Sequence, residues 1–279
     1  MFKLNSTVAN ICMMQREPVP KQETSQRTAP FKAPPIRFRG SRHTAVVKEV
    51  FDIATPYPET YLIRFTFDGE PKVFDYQAGQ FISIFAEKDG KSISRPYSIA
   101  SPAESKDHLE LAIKVVEGGF MSNYLHHVAP GTKLKSIGPL GTFVLLEPPD
   151  YPIRDTMFVA TGTGVAPFVG MISHIFHMKY DIQVHLVFGC RYIHDLIYMD
   201  IFEKWEREHP NFHPYVTLSR PENSGWKGRA GYVQKVIENE IDNRSDKDVY
   251  ICGLHNMVED VKNLCEQMGF HFVRFEKWD

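Results

Sequence analysis

The chain has 279 residues, 43% of them hydrophobic and 24% charged, with a formal net charge of −2. That length suits two domains with separate cores. The near-neutral balance argues against a nucleic-acid binder, and no run approaches the roughly 20 apolar residues of a membrane span.

The first segment runs from Met1 to Arg42. Its only acids are Glu17 and Glu23, against basic residues that include Arg16, Arg27, Arg37 and Arg42, and prolines recur at Pro18, Pro20, Pro30, Pro34 and Pro35. No hydrophobic period holds there, so residues 1–42 read as an extended basic arm. Its acid-poor composition loosely resembles an organellar transit peptide, and a plain N-terminal extension is the simpler alternative.

Residues 43–150 predict an antiparallel barrel of six short strands, His43–Phe51, Thr60–Phe67, Gln80–Glu87, Arg95–Ala100, Leu109–Val116 and Lys133–Gly138, with one helix at Ser122–His127. Turn pairs such as Asp68-Gly69 and Asp89-Gly90 divide them. Pro148, Pro149 and Pro152 mark a boundary. Residues 151–279 then alternate. Strands are expected at Thr156–Ala160, Gln183–Phe188, His213–Leu218, Asp248–Cys252 and His271–Phe275, and helices at Pro167–Met178, Asp200–His209, Val233–Glu240 and Met257–Met268. That rhythm predicts a doubly wound parallel sheet.

Cys12, Cys190, Cys252 and Cys265 lie far apart, without a C-x-x-C pair or a ferredoxin-type run. An iron–sulfur cluster, a zinc knuckle and a disulfide framework are therefore not expected. His174 and His177 are spaced for a helix face rather than a metal site.

Five segments carry chemistry. Arg95-Pro96-Tyr97-Ser98 offers a guanidinium for phosphate, an aromatic face and a small hydroxyl on one strand, where residues 95, 97 and 99 share a side. Gly118-Gly119-Phe120-Met121-Ser122 permits close backbone approach and stands at a predicted helix start, suited to a pyrophosphate. Gly162-Thr163-Gly164 follows an apolar strand and opens a helix, as a dinucleotide turn does, although Pro167 replaces the usual third glycine. Arg191, Ser219, Arg220 and Arg229 gather near strand ends, where cations would hold a phosphate. Cys252-Gly253 ends a further strand.

In this order, over residues 43–279, the segments resemble the ferredoxin–NADP reductase superfamily. The resemblance implies FAD held by Arg95, Pro96, Tyr97 and Ser98, with its pyrophosphate on Gly118, Gly119, Phe120, Met121 and Ser122. It implies a nicotinamide nucleotide facing Gly162, Thr163, Gly164, Cys252 and Gly253. The tail Phe275-Glu276-Lys277-Trp278 is similar to those of oxygenase reductases, which adds Glu276 and Trp278 to Ser98 and Cys252 as catalytic candidates. Trp278 would then lie near the flavin and move aside for the nicotinamide. Ser219, Arg220 and Arg229 match positions that read the 2′-phosphate of NADPH, while the segment from Trp226 to Val233 also resembles NADH users. The implied activity is hydride transfer from NAD(P)H to FAD, with single electrons passed to ferredoxin, flavodoxin or another redox protein. The alternatives are a subunit of an oxygenase or larger complex, docked through the arm, and a non-catalytic nucleotide-binding module. A cytoplasmic protein is expected, or one of an organellar matrix if the arm includes a transit peptide.

Overall fold

The computed structural model describes residues 36–53, 60–222, 224–242 and 244–278. Residues 1–35 of the arm lie outside the described residues, as does Cys12, and Ser41 and Arg42 already belong to the first strand.

Strands β1 (Ser41–Asp52), β2 (Thr60–Phe67), β3 (Phe81–Lys88), β4 (Lys91–Ser98), β5 (Leu109–Lys114) and β6 (Lys133–Leu140) form one antiparallel sheet. Their order is β4-β3-β6-β1-β2-β5. Just past β4, Ile99 bridges to Leu111 and the Ala100 amide donates to the Glu110 carbonyl at 2.9 Å, which joins the two ends. Asp89 and Gly90, with φ of 50° and 72°, make the left-handed turn that suits the twist of a tight hairpin. Pairing therefore continues back to Lys91, and β4 begins before the expected Arg95 and stops at Ser98.

Helix α1 spans Phe120–His126, so it begins before the expected Ser122. Gly119 is the N-cap, because a side chain there would meet the Val116 Cβ at 2.9 Å and the loop must fold back tightly. Ser122 sits in the first turn instead, and its hydroxyl accepts the Val116 amide at 3.0 Å.

The second sheet is parallel throughout. It holds β7 (Thr156–Thr161), β8 (Val184–Cys190), β9 (Phe212–Leu218), the two-residue β10 (Arg229–Ala230), β11 (Asp248–Leu254) and β12 (Phe272–Trp278), in the order β10-β9-β8-β7-β11-β12. Helices α2 (Ala166–His177), α3 (Met199–Glu208), α4 (Val233–Glu240) and α5 (His255–Gln267) connect the strands. The central β7 reads Thr-Met-Phe-Val-Ala and is buried on both faces, as a covered parallel strand requires.

Strand β10 was not anticipated, and β12 runs on to Trp278. The tail is thus paired rather than loose.

The sheets share a core. Tyr61, Ile63 and Phe65 point into the first sheet's own cluster. Their neighbour Leu62 turns the other way and joins Ala100, Ala112, Phe158, Ala160, Val165 and Cys252 in one cluster that spans both sheets. Helix α2 is apolar nearly all round, burying Phe168, Val169, Met171, Ile172 and Ile175, because it lies between the layers.

Candidate active site

The parallel sheet runs outward from β7 to β9 and then returns to β11 on the far side of β7. Ligands of such sheets bind at this reversal, outside the carboxyl ends of the strands. Residues 162–165 form a 3-10 turn there. A Cβ on Gly164 would stand 2.4 Å from the Cys252 carbonyl oxygen, so only glycine lets the turn rest on β11. Gly162 has φ of 54° and open space beside it. A Cβ on Gly253 would stand 2.6 Å from Thr161 Oγ1, which is buried without a hydrogen-bond partner among the described residues. Thr161 directly precedes the Gly162-Thr163-Gly164 motif and is a site neighbour that the sequence reading did not mark. The signal available was a hydroxyl ending a buried strand beside a glycine turn.

Register aligns Ala160, Cys252 and Glu276 across β7, β11 and β12, with Trp278 opposite Leu254. Cys252 is fully buried, and burial, with the charge of Glu276 adding to it, pushes its thiol well above the ordinary value. It stays a neutral, inert thiol. Burial also raises the Glu276 carboxyl to about 7, against an opposing hydrogen bond with Trp278. Trp278 packs against the shared cluster and is held in the β12 ladder, not on a loose tail.

The end of β4 supplies the second group. Ser98 is buried, Tyr97 half-buried, and Arg95 and Pro96 exposed. Burial raises the Tyr97 phenol despite the nearby Arg95 charge, so the ring stays neutral. The Arg95 guanidinium donates to the Ser94 carbonyl at 2.8 Å. Helix α1 reaches the same hairpin, and Lys88 Nζ lies 5.5 Å from the Phe120 ring centre. Gly118, with φ of 68°, leaves its backbone uncovered. Asn123 Nδ2 donates to the Val116 and Gly119 carbonyls at 2.8 and 2.6 Å, fixing this loop. The turn 162–165 comes within 8 Å of β5, Cα to Cα, and β5 is the strand that bridges to Ile99. The two groups thus meet along β5.

The third group divides. Ser219 and Arg220 continue the ladder past β9 through the Cys190 and Arg191 carbonyls, both at 2.9 Å. The Arg220 guanidinium donates to the Tyr192 hydroxyl at 3.1 Å, which makes Tyr192 a neighbour that sequence alone did not mark. Arg229 goes elsewhere. Its guanidinium is bound to both Glu240 oxygens at 2.6–2.9 Å and lies 5.0 Å from the Tyr215 ring centre. Tyr215 stands two positions back along β9 from the Thr217 that pairs with Arg229, so this cation points away from the carboxyl edge.

Among the described residues, no helix is long and apolar enough to cross a membrane.

Residues 49–145 match the oxidoreductase FAD-binding domain family, and residues 158–263 the oxidoreductase NAD-binding domain family. The chain is 37% identical over 217 residues to ferredoxin–NADP reductase B of Sorangium cellulosum, covering 75% of this chain and 87% of that protein. It is 26% identical over 240 residues to the glycine betaine monooxygenase reductase subunit of Chromohalobacter salexigens, of which it spans 62%. Among solved structures, the cytochrome P450 reductase GcoB of Amycolatopsis superposes with a TM-score of 0.75 at 28% identity, over 85% of this chain and 70% of that one. A ferredoxin NADP+ reductase from Neisseria gonorrhoeae superposes with a TM-score of 0.70 at 20% identity, over 86% and 99% of the two chains.

Proposed function

Because the chain belongs to the ferredoxin–NADP reductase family, as an NAD(P)H-dependent flavin oxidoreductase that passes electrons to other proteins, we propose that the β4 end, the α1 loop and the β7–β11 turn are its working site. The observation that carries this is their convergence along β5 over one shared core. Division of labour follows, with residues 43–150 holding FAD and residues 151–279 the nucleotide.

The residues fit FAD and a nucleotide. The exposed Arg95 guanidinium and the uncovered Gly118 backbone suit a pyrophosphate, and the orphaned Thr161 hydroxyl lacks only a polar ligand. FAD, when bound, supplies two-electron acceptance from nicotinamide and one-electron release.

The chain's own part is positioning. Tyr97 offers a neutral ring face and Ser98 a hydroxyl at the buried end of β4. Gly119, Phe120, Met121 and Ser122 hold the phosphate loop, and Gly162, Thr163, Gly164 and Gly253 the nicotinamide side. Cys252 shapes the wall and excludes water, while Glu276 holds or releases a proton near neutral pH. Arg191, Ser219 and Arg220 receive the nucleotide phosphate, which favours NADPH over NADH. Arg229, engaged by Glu240, is given no part in that role.

Ferredoxin or flavodoxin is the proposed acceptor, in the cytoplasm. An oxygenase-type partner docked by the arm is the second reading, favoured by the similarity to oxygenase reductase subunits. Purified protein should carry flavin absorbance, bleach anaerobically with NADPH faster than with NADH, and recover on adding oxidised ferredoxin. Absence of bleaching with either nucleotide would refute the reading. Removing residues 1–35 should leave ferredoxin reduction intact, and its loss would favour the docked-subunit alternative.

A further inference from the structure

Helix α2 begins at the turn 162–165 and lies along the segment that follows β4. Two contacts on one helix face, four residues apart, join them. At Gly170, an added Cβ would meet the Ser101 carbonyl oxygen at 3.0 Å and that of Ile99 at 3.4 Å. At His174, the contact is polar. Its Nδ1 bonds Glu104 in the same post-β4 segment, and its Nε2 lies 2.8 Å from Glu147 Oε2 in the stretch between the sheets. Glu147 also accepts the Tyr180 hydroxyl at 3.0 Å and faces Arg37 Nη1 at 3.6 Å, while Arg37 Nη2 holds Asp150 at 3.2 Å. Lys106 and Asp75, paired at 2.8 Å, line the same cavity of about 340 Å3. His177, the other histidine of α2, is not among its lining residues.

We propose that His174 is a positioning residue that sets the flavin strand against the nucleotide turn, acting as an imidazolium clamped between Glu104 and Glu147. Only the doubly protonated ring donates from both nitrogens, and both of its partners are carboxylates. The neutral ring would aim a lone pair at one of them. Burial alone would lower the His174 pKa, but the bonds and charges of Glu147 and Glu104 outweigh it and raise the value. Burial pushes Glu147 up, yet His174, Tyr180 and Arg37 hold it below the usual carboxylate value. The sign follows. The histidine's contribution is complete below its ordinary pKa and is lost as pH rises through the raised one. That of Glu147 is lost only as pH falls through its lowered one. The clamp is therefore closed below the raised histidine value and opens as pH rises through it.

This inference rests on the proposed site, because it concerns how two half-sites are aligned. A small misplacement of reacting groups slows a transfer steeply. The test compares unaltered holoprotein with H174Q and E104Q at matched flavin content, following anaerobic flavin bleaching by NADPH from pH 6 to 10. The expected result is a loss of about tenfold in the bleaching rate in both variants near neutral pH. A fall as pH rises through the raised histidine value should appear in the unaltered protein and be absent from H174Q, which keeps only the inflection that Glu276 supplies near pH 7. In parallel, 15N-histidine NMR should show the His174 ring titrating above the ordinary imidazole value, and lower in E104Q. Unaltered rates and pH profiles in both variants would overturn the clamp, as would a ring that titrates at or below the ordinary value. If H174Q does not fold, E104Q retains the His174–Glu147 bond and decides the matter. Failure of the unaltered protein to bleach would sink the parent reading, while the NMR titration would still judge the clamp.

Discussion

Glu276 and Cys252 stand opposite each other on β12 and β11, and burial acts on both in the same direction with different results. The thiol is driven out of the working range, whereas the carboxyl is brought into it. With its folded pKa raised from 4.5 to about 7, Glu276 favours folding fully below its unfolded value, and that contribution is lost as pH rises through 7. Flavin reduction in H174Q, where the clamp no longer titrates, should therefore still inflect near pH 7, and adding E276Q should abolish that inflection. An inflection that survives in the double variant would assign it to another group. The two arginines make a second contrast. Arg220 is exposed and its guanidinium donates to the Tyr192 hydroxyl, while Arg229 is held by the Glu240 carboxylate. We expect R220A to raise the KM for NADPH about tenfold, the scale of one charge-assisted contact. R229A should leave KM near its starting value. Equal effects in steady-state assays would contradict this division.

Between elements, glycine decides how closely the nucleotide turn can approach β11. Gly162 needs its conformation, since φ is 54°, but has free space around it. Gly164 needs its emptiness, since a methyl group would strike the Cys252 carbonyl. The first loss costs about 1–2 kcal/mol of backbone strain. The second forces a backbone shift worth about 1–3 kcal/mol and displaces the turn from Cys252. G164A should thus lower both denaturant stability and nucleotide affinity, whereas G162A should chiefly lower stability. Comparable nucleotide affinities in the two variants would show that the β11 contact does not position the turn. This pair also marks a limit of sequence reading. The motif identified both glycines, but not which is constrained by φ and which by a neighbour on a distant strand.

At the scale of the molecule, alternation and motif order made both layers legible. Strand β2 was bounded correctly at both ends, and β7 to within one residue, because their apolar runs are cut cleanly by turns. Long-range pairing was not legible. Strand β10 exists because two residues dock beside β9, and the tail is a strand because β11 templates it. His174 read as an ordinary helix histidine, since its two carboxylate partners lie 70 and 27 residues away.

The outer side of β12 carries a further consequence. Among the described residues this strand is paired on one side only, and Phe275 is 38% exposed on it. Lys262 and Lys277 stand 5.5 and 5.4 Å from that ring centre, and Glu259 fastens Lys277 in place. Lysines beside an unpaired edge discourage another chain from adding a strand. Solubility is therefore guarded on the very strand that carries Glu276 and Trp278. The double variant K262L/K277L should self-associate more with rising concentration than the unaltered protein in sedimentation velocity, and coincident profiles would remove this role. Efforts to retune the strand proposed to handle a proton would then also have to preserve this protection against strand addition.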